Sequence, residues 1–303
     1  MRPRLHSVTT GLVRRSHVAA LPRLRFTPAS AESPLFVIGS GRSGNTLVRR
    51  VLMASGQIYI PPETFVLGEL ITLWPRAWTL SWREQIWLFC AHFEKHHHWP
   101  TFELPNLNGF AAEAQQLRPQ RLRPLIEAFY HYLARASNSS ATRWGDKTPW
   151  NTYHLPSIAR TFPEARYLWL VRDGRDVALS YRKAGLIPTF EAAALRWGEA
   201  NGACARLARW SPHVLQVRYE DLVADPETVF ANVFTWAGLT FTPAMLSTNV
   251  GQLGDVEQLQ HHAGVGRAIS TSSVGKWRGE IGKGELATAP AKFDRWLSHL
   301  GYA

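Results

Sequence analysis

The sequence predicts an α/β fold, a parallel β-sheet with helices packed on both faces. Three observations carry this. Leu35-Phe36-Val37-Ile38 is a short apolar run closed by Gly39, and a Gly/Ser-rich turn and an amphipathic stretch follow it. Two further apolar runs, Arg166 to Val171 and Val214 to Val217, come later in the chain. Stretches of helical periodicity separate the three. Continuous short apolar runs mark strands buried on both faces, and strands that alternate with helices pair in parallel, because each helix carries the chain back to the same end of the sheet.

Each element has its own reason. Leu47, Val48, Val51 and Leu52 fall on one side of a helix, with Arg49 and Arg50 on the opposite face. A tryptophan-rich section runs from Trp74 to Trp99. Within it Ser81 suits the N-cap of a helix through Phe93, since its hydroxyl can accept an N–H that the first turn leaves unpaired. Leu122 to Ala136 and Asn151 to Thr161 also have helical spacing. Asp173 can cap a helix through Lys183, and a longer helix covers Phe190 to Trp210. Asp225-Pro226-Glu227 puts a cap, a first-turn proline and an acid in the order that opens a helix, here one through Trp236.

Length and composition favour one domain over residues 34–303, preceded by a basic extension over residues 1–33 that is expected to be disordered. Hydrophobic residues make up 45% of the 303 and charged residues 19%, enough apolar side chains for a large core. The formal net charge is +11, and six arginines with no acid lie between Met1 and Ala31, so over half of the excess sits in the extension. The remaining body is modestly basic. That suits a pocket for a small, multiply charged anion better than a nucleic-acid track. The acid-free extension resembles an organelle transit peptide; read as a bacterial extension instead, it leaves the cytoplasm as the expected location. No apolar stretch reaches the roughly 18 residues that span a membrane. Cys90 and Cys204 frame neither a disulfide pattern nor a zinc site, which fits a reducing compartment.

The chemistry concentrates in Gly39 to Thr46, which reads Gly-Ser-Gly-Arg-Ser-Gly-Asn-Thr. Backbone N–H groups in such a turn, with the N-terminus of the next helix, make an anion nest, so the sheet is P-loop-like. Ser43, Gly44, Asn45 and Thr46 are its candidate binding residues. Asn45 stands where the ATP-binding form of the loop has lysine, and Arg42 supplies a cation from within the loop instead. A planar guanidinium can bridge two oxygens of a phosphate or sulfate. No acid at a strand end offers itself for Mg²⁺, which points to anion chemistry without a metal. The loop alone leaves one alternative open, a kinase-like transferase that would use a nucleoside triphosphate and Mg²⁺.

From about Leu35 to Arg278 the sequence resembles the sulfotransferase family, in its bacterial and tyrosylprotein branches, through four blocks in the family's order. Gly39 to Leu47 looks like the 5′-phosphosulfate loop, with Asn45 where threonine or serine is usual. The block from Arg172 to Ser180 looks like the 3′-phosphate site, in which Arg172 and Ser180 would bind the cofactor's distinguishing phosphate. Tyr219-Glu220-Asp221-Leu222 resembles the segment whose tyrosine lies near the adenine. Gly275-Lys276-Trp277-Arg278 resembles the late loop that closes over the nucleotide. The resemblance implies transfer of a sulfuryl group from 3′-phosphoadenosine-5′-phosphosulfate (PAPS) to an acceptor hydroxyl or amine. Adenosine 3′,5′-bisphosphate (PAP) would be released, and no metal would be required.

The resemblance implies catalytic groups as well. Pro61-Pro62-Glu63-Thr64 follows the phosphate-loop helix, and a glutamate here is the base in the tyrosylprotein branch, which favours Glu63 over His154. Gly145-Asp146-Lys147-Thr148-Pro149 resembles a lysine-threonine-proline segment, whose Lys147 would join Arg42 in stabilising charge on the leaving phosphate. Ser272 and Ser273 stand just upstream of Gly275, where some members carry serine. The helical, tryptophan-rich insertion is expected to build the acceptor side. Trp74, Trp78, Trp82 and Trp87 are spaced like one helix face, most of them packed as core. His96-His97-His98 is expected to be a solvated helix end, since neighbouring side chains on a helix diverge and close poorly on one ion. The acceptor stays open among small molecules, carbohydrates, lipids and peptides. A homodimer stays open too.

Overall fold

The computed structural model describes residues 24–247 and 269–302. Its strands are β1 (Leu35–Gly39), β2 (Ile58–Tyr59), β3 (Arg143–Asp146), β4 (Arg166–Val171) and β5 (Val214–Arg218). They pair in parallel as one sheet in the order β2-β3-β1-β4-β5. Central β1 sets Leu35 opposite Gly145 on one side and Arg166 on the other. The three apolar runs of the sequence are β1, β4 and β5. The short β2 and the glycine- and charge-bearing β3 have no periodic signal of their own, and pairing alone makes them strands.

Side chains alternate across a strand, and the sheet uses both faces. Phe36, Ile38, Tyr167 and Trp169 enter one core. Leu35, Val37, Leu168 and Leu170 enter the other. The second core is closed by α1 (Asn45–Ala54), together with α9 (Tyr219–Ala224) and α10 (Pro226–Ala237). The first core is closed by α2 (Leu67–Leu73), α3 (Trp82–Glu94), α4 (Asn108–Ala114), α5 (Leu122–Ala136), α6 (Leu155–Thr161), α7 (Gly174–Lys183) and α8 (Phe190–Ala208). Short α11 (Trp277–Glu280) and α12 (Lys283–Leu286) lead to α13 (Ala291–His299), whose Phe293 and Leu297 complete that core.

The expected caps form. Ser81 and Glu84 make a reciprocal capping box, Asp173 accepts the Arg175 N–H at 2.9 Å, and Asp225 accepts that of Thr228 at 3.2 Å. Several expectations need correction. Arg49 and Arg50 do not face solvent; they are 2% and 4% exposed. The outer side of α1 is covered as well, and Arg49 Nε donates to the Ile60 carbonyl at 2.9 Å while Arg50 Nη2 donates to that of Leu246 at 3.3 Å. The helix expected over Asn151 to Thr161 splits into a 3₁₀ turn, Pro149–His154, and α6. Pro156 has no N–H for the interior of one long helix and sits in the first turn of α6 instead.

The four tryptophans do not share a face. A break at Leu80-Ser81 separates the 3₁₀ turn Trp74–Thr79 from α3. Trp74 and Trp82 pack on the first core, whereas Trp78 and Trp87 are 80% and 43% exposed. Residues 1–23 of the basic extension lie outside the described residues. Of its remainder, Leu24 and Phe26 pack against the core and the Thr27 N–H meets the Pro163 carbonyl at 3.3 Å. Among the described residues no helix is long and apolar enough to cross a membrane.

Candidate active site

Functional groups of a parallel sheet gather beyond the carboxyl ends of its strands, and here they gather after β1, β3 and β4. The turn from β1 into α1 holds Arg42 at φ 67° and Gly44 at φ 94°, both left-handed. Glycine is required at 44 twice over, since a Cβ there would also lie 2.5 Å from the Tyr219 ring. The Ser40 and Ser43 hydroxyls are buried without a hydrogen-bond partner. Asn45 braces the turn, its Nδ2 donating to the Ser40 carbonyl at 3.1 Å. The amide that the sequence offered to an anion is thus engaged with the loop itself.

Arg172 follows β4 and is positioned from behind. Fully buried Trp197 donates its indole N–H to the Arg172 carbonyl at 3.0 Å. Gly174 makes room for this, because a Cβ there would sit 2.8 Å from both Trp197 and Phe293. The Arg172 guanidinium lies 4.5 Å over the Tyr219 ring and donates to the carbonyls of Arg42 at 3.0 Å and Ser273 at 2.6 Å. Its Nε is buried without a partner. Arg42 Nε donates to Ser180 on α7 at 3.0 Å. Burial holds the Arg42 pKa below its ordinary value, and the neighbouring Arg172 charge lowers it further against the pull of Tyr181 and Glu63. Two guanidiniums this close repel, and a multiply charged anion relieves the repulsion.

The late segment closes the same space. The Asp176 carboxylate accepts the N–H of Gly275 at 2.7 Å and of Trp277 at 3.0 Å, and the Tyr219 and Ser273 hydroxyls share a 2.6 Å hydrogen bond. A single cavity of about 1110 Å³ takes in Arg42, Gly44, Asn45 and Thr46 from the loop, Arg172 and Ser180 beside it, and Tyr219, Ser272, Ser273 and Lys276 from the later chain. Ser43, Trp277 and Arg278 do not line it. Trp277 is packed between Arg175 and Arg278, at 4.0 and 4.9 Å.

Glu63 lines the cavity with its side chain 22% exposed. Lys147, only 2% exposed, lies behind it and donates Nζ–H to Glu63 Oε1 at 2.6 Å. A buried network fixes this pair. β3 does end in an acid, Asp146, contrary to the sequence expectation, but three donors occupy its carboxylate. Thr64 Oγ1 and Asn151 Nδ2 each donate at 2.8 Å, and the Tyr130 hydroxyl makes a very short contact. Thr148 Oγ1 accepts the Thr64 N–H at 2.8 Å, so residues 63–64 are locked to residues 146–148. Burial, reinforced by Asp146, raises the Tyr130 pKa well above its ordinary value and keeps the phenol a donor. Sequence reading quoted Asp146 without seeing its role; its position just ahead of Lys147 was the available signal.

The histidine run follows the end of α3 with His97 exposed, and it also meets the cavity. His96, His97 and His98 line the cavity, where Phe65, at φ 46°, stacks on His98 at 4.2 Å and His96 at 5.1 Å. Of the tryptophan-rich section these histidines reach the wall, as does Thr101 just beyond it, and Trp74, Trp78, Trp82 and Trp87 do not. His154 points elsewhere, its Nδ1 3.2 Å from Thr72 Oγ1. Among the described residues no group of three or more His, Cys, Asp or Glu is placed to hold a metal ion.

The model of the sulfotransferase family matches residues 34–243. The chain belongs to the sulfotransferase family. The reaction of this sulfotransferase is accordingly sulfuryl transfer. Protein-tyrosine sulfotransferase 2 of Gallus gallus is 24% identical over 289 residues, spanning 90% of this chain and 70% of that protein. Protein-tyrosine sulfotransferase 1 of Danio rerio is 23% identical over 280 residues, spanning 88% and 72%. Among solved structures, the sulfotransferase domain of the Synechococcus PCC 7002 olefin synthase superposes with a TM-score of 0.62 at 24% identity, covering 92% of this chain and 99% of that domain. The sulfotransferase domain from the curacin biosynthetic pathway follows at 0.58 and 22% identity. These likenesses are likenesses of fold.

Proposed function

We propose that this sulfotransferase takes its sulfuryl group from PAPS, delivers it to an acceptor hydroxyl and releases PAP. The observation that supports this reading is that the Gly39–Thr46 loop, Arg172 and Ser180 line one cavity, with Arg42 donating to Ser180 and Glu63 on the same cavity's wall. A nucleotide phosphorylated at both ends fits that donor set, and the buried, unpartnered Arg172 Nε is a group such a ligand would satisfy.

The loop N–H groups, Arg42 and Thr46 hold the 5′-phosphosulfate. Arg172 and Ser180 hold the 3′-phosphate, Tyr219 packs beside the nucleotide, and Lys276 closes over it, with Trp277 and Arg278 supporting the closing segment. Glu63 accepts the proton of the acceptor hydroxyl as its oxygen bonds to sulfur and the bond from sulfur to the bridging oxygen breaks. A protonated Glu63 no longer holds Lys147 by charge. The ammonium can then turn, with Arg42, toward the negative charge arriving on the leaving phosphate. Proton removal and leaving-group stabilisation are thereby coupled through one ion pair. Relatives carry the name protein-tyrosine sulfotransferase, so a tyrosine phenol is an acceptor to test. Two free, buried cysteines are in keeping with a cytoplasmic location.

The test is a titration with PAP against adenosine 5′-monophosphate and against ATP with Mg²⁺. The bisphosphate is expected to bind selectively and to lose at least tenfold in affinity in Arg172→Ala. A preference for ATP with Mg²⁺ would replace this reading with the kinase-like one.

A further inference from the structure

Away from the anion sites the cavity has a different character. Its wall includes Trp150, 40% exposed, and Leu186, 51% exposed, next to Ile187. Large apolar side chains left open beside a cavity are available to cover a ligand. Two cations line this part, Lys183, which pairs with Glu280, and Arg196 from α8. Its guanidinium carbon lies 4.7 Å from the centre of the Trp150 ring, 5.5 Å from Tyr153 and 5.9 Å from Tyr181. Its Nε donates to the Tyr181 hydroxyl at 3.4 Å. Among the described residues no carboxylate forms a salt bridge with it, and neither Nη group has a hydrogen-bond partner. Glu199, three positions further along α8, contributes only the last and smallest of the attractions acting on it.

Aromatic faces stabilise a guanidinium without neutralising it. The edge that carries the Nη groups stays available, and its planar fork matches a carboxylate through two parallel hydrogen bonds. The subsite also adjoins the glycine loop. The Tyr181 hydroxyl that meets Arg196 lies 2.5 Å from where a Cβ on Gly41 of the phosphate loop would be. The cofactor's phosphates already have Arg42, Arg172 and Lys276, so Arg196 is surplus to them. We propose that Arg196 and Trp150 form an acceptor subsite selecting a hydroxylated molecule with an apolar body and a carboxylate, the body lying against Trp150 and Leu186. This rests on the sulfuryl-transfer reading.

The experiment is calorimetric titration of the full chain, first with PAP and then, PAP-loaded, with two matched pairs. These are 4-hydroxyphenylacetate with 4-hydroxyphenylacetamide, and 10-hydroxydecanoate with 10-hydroxydecanamide. In at least one pair the acid is expected to bind about tenfold more tightly than its amide. Arg196→Gln should abolish the preference, Arg196→Lys should retain part of it, and the PAP Kd should be the same in all three proteins, which also reports that they are folded. Acids no tighter than amides in both pairs, or a preference that survives Arg196→Gln, overturns the subsite. A PAP affinity lost in both Arg196 variants would move the residue to the cofactor side and overturn it equally. Failure of the unaltered chain to bind PAP would instead remove the sulfuryl-transfer reading, and the subsite with it.

Discussion

Asp146 shows how much of the site depends on a residue that touches no ligand. Its carboxylate takes three donors, from Thr64, Asn151 and Tyr130, and through Thr64 it sets where Glu63 stands. Asp146→Ala leaves those donors buried and unpaired, so it should cost about 3 kcal/mol in urea unfolding. Glu63→Gln is a different kind of change. It removes the proposed proton acceptor and releases Lys147 from its ion pair, so turnover should fall by about 10²–10⁴ while PAP still binds. Single-residue environments also govern the thiols. Burial pushes the Cys90 pKa up to about 12 and that of Cys204 well above its ordinary value. The thiolate is the reactive form, and a raised pKa depletes it. A thiol reagent at pH 8 should therefore leave both cysteines unmodified in the native protein and titrate two once it is unfolded.

At the scale of elements, α7 organises both ends of the proposed nucleotide site. Arg172 and Asp173 precede it, Ser180 lies on it, and Asp176 in its first turn holds the late segment through two backbone N–H groups. Asp176→Ala should weaken PAP binding several-fold and speed hydrogen exchange at Gly275 and Trp277, with little change elsewhere. Much of α7 was legible in the sequence, because a cap and an apolar stripe are local signals. The Asn151–Thr161 stretch was legible only in outline. Its spacing is helical, but Pro156 decides where the α-helix begins. Strands β2 and β3 carried no local signal, since residues with so little apolar periodicity become strands only when neighbours pair with them.

Across the whole molecule, the far end of the chain returns to brace the start of α7. Tyr302 is 6% exposed. Its hydroxyl donates to Glu220 at 2.7 Å, and Glu220 in turn accepts the Asp173 N–H at 2.9 Å. The Tyr302 carbonyl accepts Arg175 Nη2 at 2.6 Å, and Arg218 lies 4.3 Å over its ring. Burial, and then Glu220, raise the phenol's pKa, so it remains a donor. Tyr302→Ala empties this junction behind Arg172. It should cost about 3 kcal/mol by denaturation and reduce PAP affinity as well, although Tyr302 lies off the cavity wall.

The sequence by itself determined the central strands, the caps and the glycine loop, together with the order of the blocks proposed to bind the nucleotide. Each of these rests on neighbouring residues: an apolar run, a hydroxyl ahead of a helix, glycines that let successive N–H groups converge. Only the tertiary structure decided the partners. Lys147 meets Glu63 across 84 positions, and Arg42 meets Ser180 across 138. Asn45 turns into its own loop, Arg49 is buried on the face its periodicity assigned to solvent, and His96 to His98 line the cavity in place of the tryptophans. Periodicity reports which side of an element a residue takes. It carries no information about which residue of another element will face it, and that pairing is what places a carboxylate, an ammonium and two guanidiniums around one space.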